Sequence, residues 1–503
     1  MTPRFVPIKF GTDGWRAVIA REFTFVNVER VAQAFADYLV AHRAEELIEQ
    51  AVAVGQFSID EAASQQFHNV VVDSIMSAAP LVIIGFDNRF LSEKFALRSA
   101  EVMAGNNFRF AMFPESQPTP VISWAVKHLG ATGGIVITAS HNPANFNGFK
   151  IKAPWGGSAA PETTTAVEKL VDVNPPKRAD VKTDGHEILE PAITSYRKQI
   201  ESYVDLDRLR NAKGKVIVDP MHGSAGTWVE GFLKGGQLEV ETIRGFRDPL
   251  FGGVNPEPID QNLGPLKERV VTTRALVGLA TDGDADRVGA VDELGQTMTM
   301  HDVVPLMLLH LARQRNMSGA VVVTVSQSVL TKRIAEAMGL KLYETPIGFK
   351  YIAELMLNDD VLLGAEESGG IGVKGHIPER DGILNSLLFL EAITTAGKPP
   401  SKMLADLHQE FGEFRFGRRD IHMPVSKGQD LVALLADQPP SEFSGYEVVG
   451  VNTMDGTKLL FADESWLLFR QSGTEPVLRI YSEATSNEKM KTLLSAGEKA
   501  AIN

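Results

Sequence analysis

A chain of 503 residues, 44% hydrophobic and 22% charged, has ordinary globular composition but exceeds what one hydrophobic core organises, which predicts three or four domains. Its net charge of −13 excludes an extended nucleic-acid interface, which needs a basic surface, but not a small phosphorylated ligand met by a local cluster of cations. It has no cysteine for disulfides or thiolate metal sites, no signal-like N-terminus and no apolar run near ~18 residues, so the expectation is a cytoplasmic protein with no membrane segment.

Short apolar runs alternate with helical patterns almost throughout, predicting βα units in parallel or mixed sheets. The chain opens with FGTDGWR at residues 10–16, and residues 43–79 read as amphipathic helix with a break near Gly55, an elaboration of the first domain. PLVIIGFDNR from Pro80, KGKVIVDPMHGSAG from Lys213 and GAVVVTVSQS from Gly319 share one shape. Each is an apolar run that breaks into small or polar residues before a helix-like stretch, which suggests three related α/β domains. Polar stretches with prolines at 173–191 and 395–403 read as linkers before the second and fourth units. The C-terminal region differs: SWLLFRQSGTEPVLRIYSEA reads as two strands around a turn, in an α+β tail.

Four loops carry chemistry. In GGIVITASHNPANFNGFK, residues 133–150, a buried strand ends in polar residues, and ligands of open α/β sheets collect at such strand ends. Ser140 stands there without the flanks of a G-x-S-x-G elbow, and the adjacent His141 is expected to point away from it. A turn serine bonded to backbone is the plainer alternative. In LATDGDADRVGAVDE, Asp282, Asp284 and Asp286 alternate, so an extended segment would turn all three carboxylates to one side. Oxygen-only ligands favour a hard ion such as Mg²⁺. The alternatives are a solvated acidic turn and a calcium EF-hand, but the latter needs glycine where Arg287 stands. Arg287 is read instead as a cation that clamps a phosphoryl oxygen.

In GAEESGGIGVKGHIPERDG, Glu366, Glu367 and Ser368 suit a polyhydroxylated ligand, with His376, Arg380 and Asp381 following; an acidic helix N-terminus is the alternative. A lone histidine such as His376 is more often structural than catalytic. In LLFRQSGTEPVLRIY, Arg470, Ser472, Gly473 and Thr474 form a turn able to grip a phosphate, or a plain hairpin.

Together and in this order, TASHNP, DGDADR, EESGG and RQSGTEP, with FGTDGWR, resemble the signatures of the α-D-phosphohexomutase superfamily over essentially the whole chain. The resemblance implies four domains around a central cleft: three related mixed-sheet α/β domains (1–192, 193–299 and 300–411) and a C-terminal α+β domain (412–503). It implies that Ser140 carries a phosphoryl group and, with Asp282, Asp284 and Asp286, contacts Mg²⁺. Arg16 and Lys150 match the basic residues beside the transfer site. Arg287, Glu366, Ser368 and Arg380 would meet the substrate, and Arg470, Ser472, Gly473 and Thr474 the distal phosphate. HIPERDG and TPIGFKYI resemble the glucose-type branch, which makes His376 an acid/base candidate and places Thr345, Gly348 and Lys350 against the sugar. Relatives that accept both mannose and glucose often carry histidine where this chain has Gly370.

The implied activity is that of a phosphoglucomutase working through glucose 1,6-bisphosphate, as a monomer or homodimer, with a bifunctional glucose/mannose enzyme as the alternative. A metal phosphatase that hydrolyses phospho-Ser140 is a further class. The insertion at 43–79 departs from the usual spacing of the first two motifs.

Overall fold

The computed structural model describes residues 6–11, 13–53, 79–181, 186–472 and 476–502. Gly473, Thr474 and residues 54–78 lie outside them; within 43–79, the predicted helix is seen as the end of a helix at Phe25–Ala53.

The first sheet is built from β1 (Trp15–Val18), β2 (Leu81–Phe86), β3 (Arg109–Met112), β4 (Gly133–Ile137) and β5 (Phe146–Lys152), in the order β1-β5-β4-β2-β3. The second contains β6 (Lys215–Asp219), β7 (Glu239–Thr242), β8 (Val277–Thr281), β9 (Val288–Val291) and β10 (Thr297–Met298), ordered β10-β9-β8-β6-β7. The third contains β11 (Ala320–Thr324), β12 (Leu342–Thr345), β13 (Val361–Ala365) and β14 (Ile371–Val373), ordered β12-β11-β13-β14.

Setting aside the edge strands β1 and β10, one topology occurs three times: three parallel strands, then a fourth that returns antiparallel beside the third. The weak sequence repeat therefore marks a true structural repeat. Strands β4, β8, β11 and β13 are buried along their full length. Such double-sided cover explains their continuous Val, Ile, Leu and Gly runs. The functional consequence lies in the returns, because β4–β5 carries Ser140, β8–β9 carries the three aspartates and β13–β14 carries Glu366.

The fourth sheet is antiparallel, ordered β15-β20-β19-β18-β17-β16, from β15 (Arg415–His422), β16 (Glu442–Phe443), β17 (Tyr446–Asn452), β18 (Thr457–Phe461), β19 (Trp466–Gln471) and β20 (Val477–Ala484). Its buried Glu483 accepts hydrogen bonds from the Ser328 hydroxyl (2.6 Å) and the Val329 amide (2.8 Å), and lies 2.8 Å from His301 Nδ1. That docks the fourth sheet on the N-terminus of the helix Val329–Ala337, where a carboxylate also meets the positive end of the helix dipole.

The two predicted linkers differ in outcome: residues 173–181 are irregular as expected, but the stretch is shorter than read, and the second is corrected. Within 173–191, a helix already runs from His186, and Leu189, Ala192, Tyr196 and Ile200 form its buried stripe at helical spacing. The 395–403 segment is a tight turn inside the third unit. Gly397 at φ 62° ends the helix Gly382–Ala396, and Pro399 leads into the helix Pro400–Phe411. The helix Gly382–Ala396 is buried at every position from Gly382 to Ile393 and packs against β8 and β9, tying the second and third units together.

Candidate active site

The three returns and the fourth sheet face a cleft of about 410 Å³. Ser140 sits at φ 52°, in the left-handed region, which costs a non-glycine residue about 1–3 kcal/mol. This twist aims its hydroxyl across the domain boundary, where Oγ donates to Asp282 Oδ2 at 2.7 Å. The plain turn-serine alternative does not describe this contact. His141 does not point away as the sequence suggested: its Nδ1 is 3.4 Å from Ser140 Oγ and its ring borders the cleft. Burial, together with Arg287, Arg16, Arg479 and Arg418, holds the His141 imidazole well below its usual pKa, so it is neutral at pH 7.

Asp282, Asp284 and Asp286 are buried, and one carboxylate oxygen from each falls within 4.8 Å of the others. It is the one such acidic group among the described residues. The carboxylates converge by a different route from the extended pleat read in the sequence. Ala285 at φ 62° turns the chain back, and Asp282 Oδ1 accepts the amides of Asp286 (3.1 Å) and Arg287 (3.2 Å). The remaining oxygens divide into two sets. Asp284 Oδ2 accepts from Thr119 Oγ1 (2.9 Å) and Lys150 Nζ (2.8 Å), and Asp286 Oδ2 accepts from Lys150 Nζ (3.3 Å) and is ion-paired with Arg380 Nη2 at 2.9 Å. Among the described residues, Asp284 Oδ1 and Asp286 Oδ1 are buried without a hydrogen-bond partner. Two orphaned carboxylate oxygens beside a third carboxylate and a hydroxyl fit a hard divalent cation, and a plain solvated turn does not leave them so.

The aspartate loop is pressed against both neighbouring loops. A Cβ on Gly283 would stand 2.5 Å from the Ser140 carbonyl oxygen, so no other residue allows this approach. On the other side, the Val288 amide donates to Gly369 O at 3.1 Å, and Arg287 pairs with Gly370.

Lys150 does not line the open cleft. Its Nζ lies 2.8 Å from Asp13, 2.8 Å from Asp284 and 3.3 Å from Asp286. Burial alone would lower this ammonium, but the three carboxylates carry its pKa above the usual lysine value. Arg16 does border the cleft, with Nη1 donating to Asn142 Oδ1 at 2.6 Å. Arg380 joins three domains, since Nη2 reaches Asp13 (2.6 Å) and Asp286 (2.9 Å) while Nη1 is 3.6 Å from Glu366 Oε2.

Glu366, Ser368 and Lys350 all border the cleft. Burial is the main cause that pushes the Glu366 carboxyl up to about 7, and its Oε2 has no hydrogen-bond partner among the described residues. Thr345 is buried, and its hydroxyl donates to Pro346 O at 3.0 Å. Gly348 at φ 137° precedes the helix Phe349–Asn358, which presents Lys350. From the fourth domain, Arg470 borders the cleft with Nε on Asp455 Oδ2 at 2.9 Å, while the same carboxylate oxygen accepts the Ile347 amide at 2.9 Å. Ser472 is buried at the end of β19, next to the two grip residues outside the described set.

His376 is not brought to the cleft. Its ring stacks on Trp124 at 5.4 Å between centroids, meets Tyr196 edge-on, and places Nε2 3.0 Å from Asp381 Oδ2. With a side chain 1% exposed, it is packing between domains, so the acid/base assignment is corrected. The sequence reading also missed residues that the structure brings in. Asp13 anchors Lys150 and Arg380, and its only signal was its place inside FGTDGWR. Arg418 and Arg479 border the cleft from β15 and β20, where alternating strand sequence offered no loop signal. Lys152 and Glu379 form a buried ion pair at 2.6 Å between the first and third domains.

Comparison with known proteins agrees with this architecture. Models of the phosphoglucomutase/phosphomannomutase α/β/α domains I, II and III match residues 52–177, 194–295 and 301–411, and that of the C-terminal domain matches 426–496. A phosphoglucomutase/phosphomannomutase of Thermococcus kodakarensis is 34% identical over 424 residues, 84% of this chain and 89% of the relative. A phosphoglucosamine mutase of Halorhodospira halophila is 29% identical, over 82% of this chain and 86% of its own length. A crystal structure described as a "putative phosphomannomutase" from Thermus thermophilus superposes with a TM-score of 0.81 at 33% identity, covering 99% of this chain and 100% of that one.

Proposed function

The chain belongs to the phosphoglucomutase/phosphomannomutase family, within the α-D-phosphohexomutases, and we propose that it interconverts α-D-glucose 1-phosphate and glucose 6-phosphate through phospho-Ser140 and an enzyme-held glucose 1,6-bisphosphate. The observation that carries this reading is the Ser140 hydroxyl 2.7 Å from Asp282, beside a cleft that His141, Asn142 and Arg470 border.

In the first half-reaction, the sugar C6 hydroxyl oxygen bonds to phosphorus as the Ser140 Oγ–P bond breaks, and the hydroxyl proton passes to the leaving Ser140 Oγ, restoring its hydroxyl. The bisphosphate then turns end for end, and the bond between its C1 oxygen and phosphorus breaks as Ser140 Oγ accepts the group, the Ser140 proton passing to the departing C1 oxygen. Asp282, Asp284, Asp286 and Ser140 would hold Mg²⁺, which when bound offsets charge on the transferring group. Arg16 and Arg287 flank the transfer site as cations. Arg470 and Ser472, with Gly473 and Thr474, grip whichever phosphate is not reacting, so that binding energy at one end orients the other. Lys150 acts from beneath, keeping Asp284 and Asp286 in place. Glu366 and Ser368 accept and donate hydrogen bonds to the ring hydroxyls.

Glucose preference is supported by the TPIGFKYI loop and by Gly370. A Cβ there would come 2.6 Å from Glu366 Oε2 and 2.5 Å from Arg380 Cδ, so this sugar loop reads its ligand without an imidazole at that position. A glucose/mannose enzyme is the second reading, favoured by the name of the Thermococcus relative. The test is kcat/KM for glucose 1-phosphate, mannose 1-phosphate and glucosamine 1-phosphate. Glucose is expected to lead, and an equal value for mannose or a higher one for glucosamine would replace the assignment.

The same assay gives a pH signature. Glu366, at about 7, accepts sugar hydroxyls most strongly, and with both oxygens, as carboxylate, so its contribution to kcat/KM rises with pH through that value. The substrate phosphate titrates near ~6, so the comparison must be made against Glu366→Gln. That variant is expected to lose the inflection near neutrality and to shrink the glucose-over-mannose ratio. A wild-type profile retained in Glu366→Gln would remove Glu366 from sugar recognition.

A further inference from the structure

The turn after β2 carries three consecutive buried polar side chains, Asp87, Asn88 and Arg89, none of which borders the cleft. Arg89 uses all five of its N–H donors. Nε meets Asp87 Oδ2 at 3.1 Å, Nη1 donates to Pro143 O (2.7 Å) and Phe146 O (3.1 Å), and Nη2 donates to Ser140 O (2.6 Å) and Asn142 O (2.6 Å). Four donors thus go to carbonyls of the loop that presents Ser140. Four carbonyl dipoles drawn to one planar cation curl that loop and hold Ser140 in its left-handed conformation.

Asp87 acts on the same loop from the strand side. Its Oδ2 accepts the Thr138 hydroxyl at 2.7 Å, and Thr138 Oγ1 in turn accepts the Ser140 amide at 2.9 Å. Asn88 reaches the second domain instead, with Nδ2 donating to His222 O (2.8 Å) and Gly223 O (2.9 Å). The next amide, that of Ser224, donates to Gly283 O at 3.0 Å, inside the aspartate loop.

We propose that residues 87–89 are a positioning element for phosphoryl transfer: Asp87 and Arg89 shape the Ser140 loop, and Asn88 sets its register against the aspartate loop. The proposal rests on the reading of Ser140 as the phosphoryl carrier. Its physical content is that the 2.7 Å contact between Ser140 and Asp282 spans two domains, so a shift of either loop changes the reacting geometry without touching the sugar or distal-phosphate contacts.

The test uses the full-length wild type with Arg89→Lys, Asn88→Ala and Thr138→Val. Intact-protein mass spectrometry follows phosphoryl uptake by Ser140 from glucose 1,6-bisphosphate, and steady-state assays give kcat and KM for glucose 1-phosphate. A lysine keeps the charge beside Asp87 but offers a point cation in place of a planar fork. Arg89→Lys is therefore expected to slow phosphoryl uptake and kcat by about 100-fold, the scale of an ångström-sized misplacement of reacting groups. KM should stay within about twofold, as when an interaction made only in the transition state is lost. Thr138→Val and Asn88→Ala, which remove single bonding groups, are expected to move in the same direction by less.

If Arg89→Lys does not fold, the other two variants decide. Wild-type uptake rates in the folded variants, or a loss carried by KM with kcat unchanged, would overturn the positioning role alone. If the wild type itself takes up no phosphoryl group on Ser140, the carrier reading fails and this proposal with it.

Discussion

Replacing Ser140 by alanine is expected to lower phosphohexomutase turnover by at least about 10⁴-fold, since the substitution deletes the oxygen that accepts and returns the phosphoryl group. The fold should survive. Among the described residues, Oγ hydrogen-bonds to Asp282 and His141, and Asp282 keeps the amides of Asp286 and Arg287 as donors, so the stability change should be about 1 kcal/mol, the worth of one hydrogen bond. Thermal unfolding of the variant should stay close to that of the wild type, and its intact mass should show no phosphate adduct after incubation with glucose 1,6-bisphosphate. Activity within tenfold of the wild type in Ser140→Ala would mean that the phosphoryl group travels by another route.

Asp284→Asn is expected to lower turnover by about 10³-fold at saturating Mg²⁺, because a cation that offsets charge in the transition state is worth several kcal/mol. The amide keeps the size of the side chain and one acceptor oxygen, but it cannot bind a cation and also serve both Thr119 and Lys150 as the carboxylate does. Binding to the folded state alone should raise the wild-type Tm with Mg²⁺ concentration, and that rise should shrink in Asp284→Asn. The Tm series separates metal binding from catalysis. Full turnover after exhaustive chelation would take the metal out of the reaction.

The three-domain repeat was legible in the sequence because each unit's buried parallel strands are continuous apolar runs, and the runs end where the chemistry begins. Ser140, the three aspartates and Glu366 were legible for the same reason, each following such a strand. What failed to show was anything that depends on two distant segments meeting. Asp13 faces Lys150 through the pairing of β1 and β5, strands distant in sequence, and meets Arg380 only when the first and third domains close on one another. Lys150 reads as a basic residue beside the transfer site, but its local sequence does not tell that three carboxylates from two domains enclose it. His376 carries a suggestive motif and ends stacked on Trp124, from a helix of another domain. The convergence of Asp282, Asp284 and Asp286 was foreseen but its cause was not, since alternation along a strand and a turn at left-handed Ala285 give the same spacing in sequence.

The central claim is that Ser140 passes its phosphoryl group to a sugar hydroxyl, not to water. The most direct measurement loads the wild-type enzyme with ³²P-phosphoryl on Ser140, removes excess donor, adds unlabelled glucose 1-phosphate in a single turnover, and separates the products. The account predicts label in glucose 1,6-bisphosphate and then in glucose 6-phosphate, with little as inorganic phosphate. Label released mainly as inorganic phosphate, at a rate unaffected by the sugar phosphate, would contradict it and make the protein a phosphatase built on a phosphohexomutase fold.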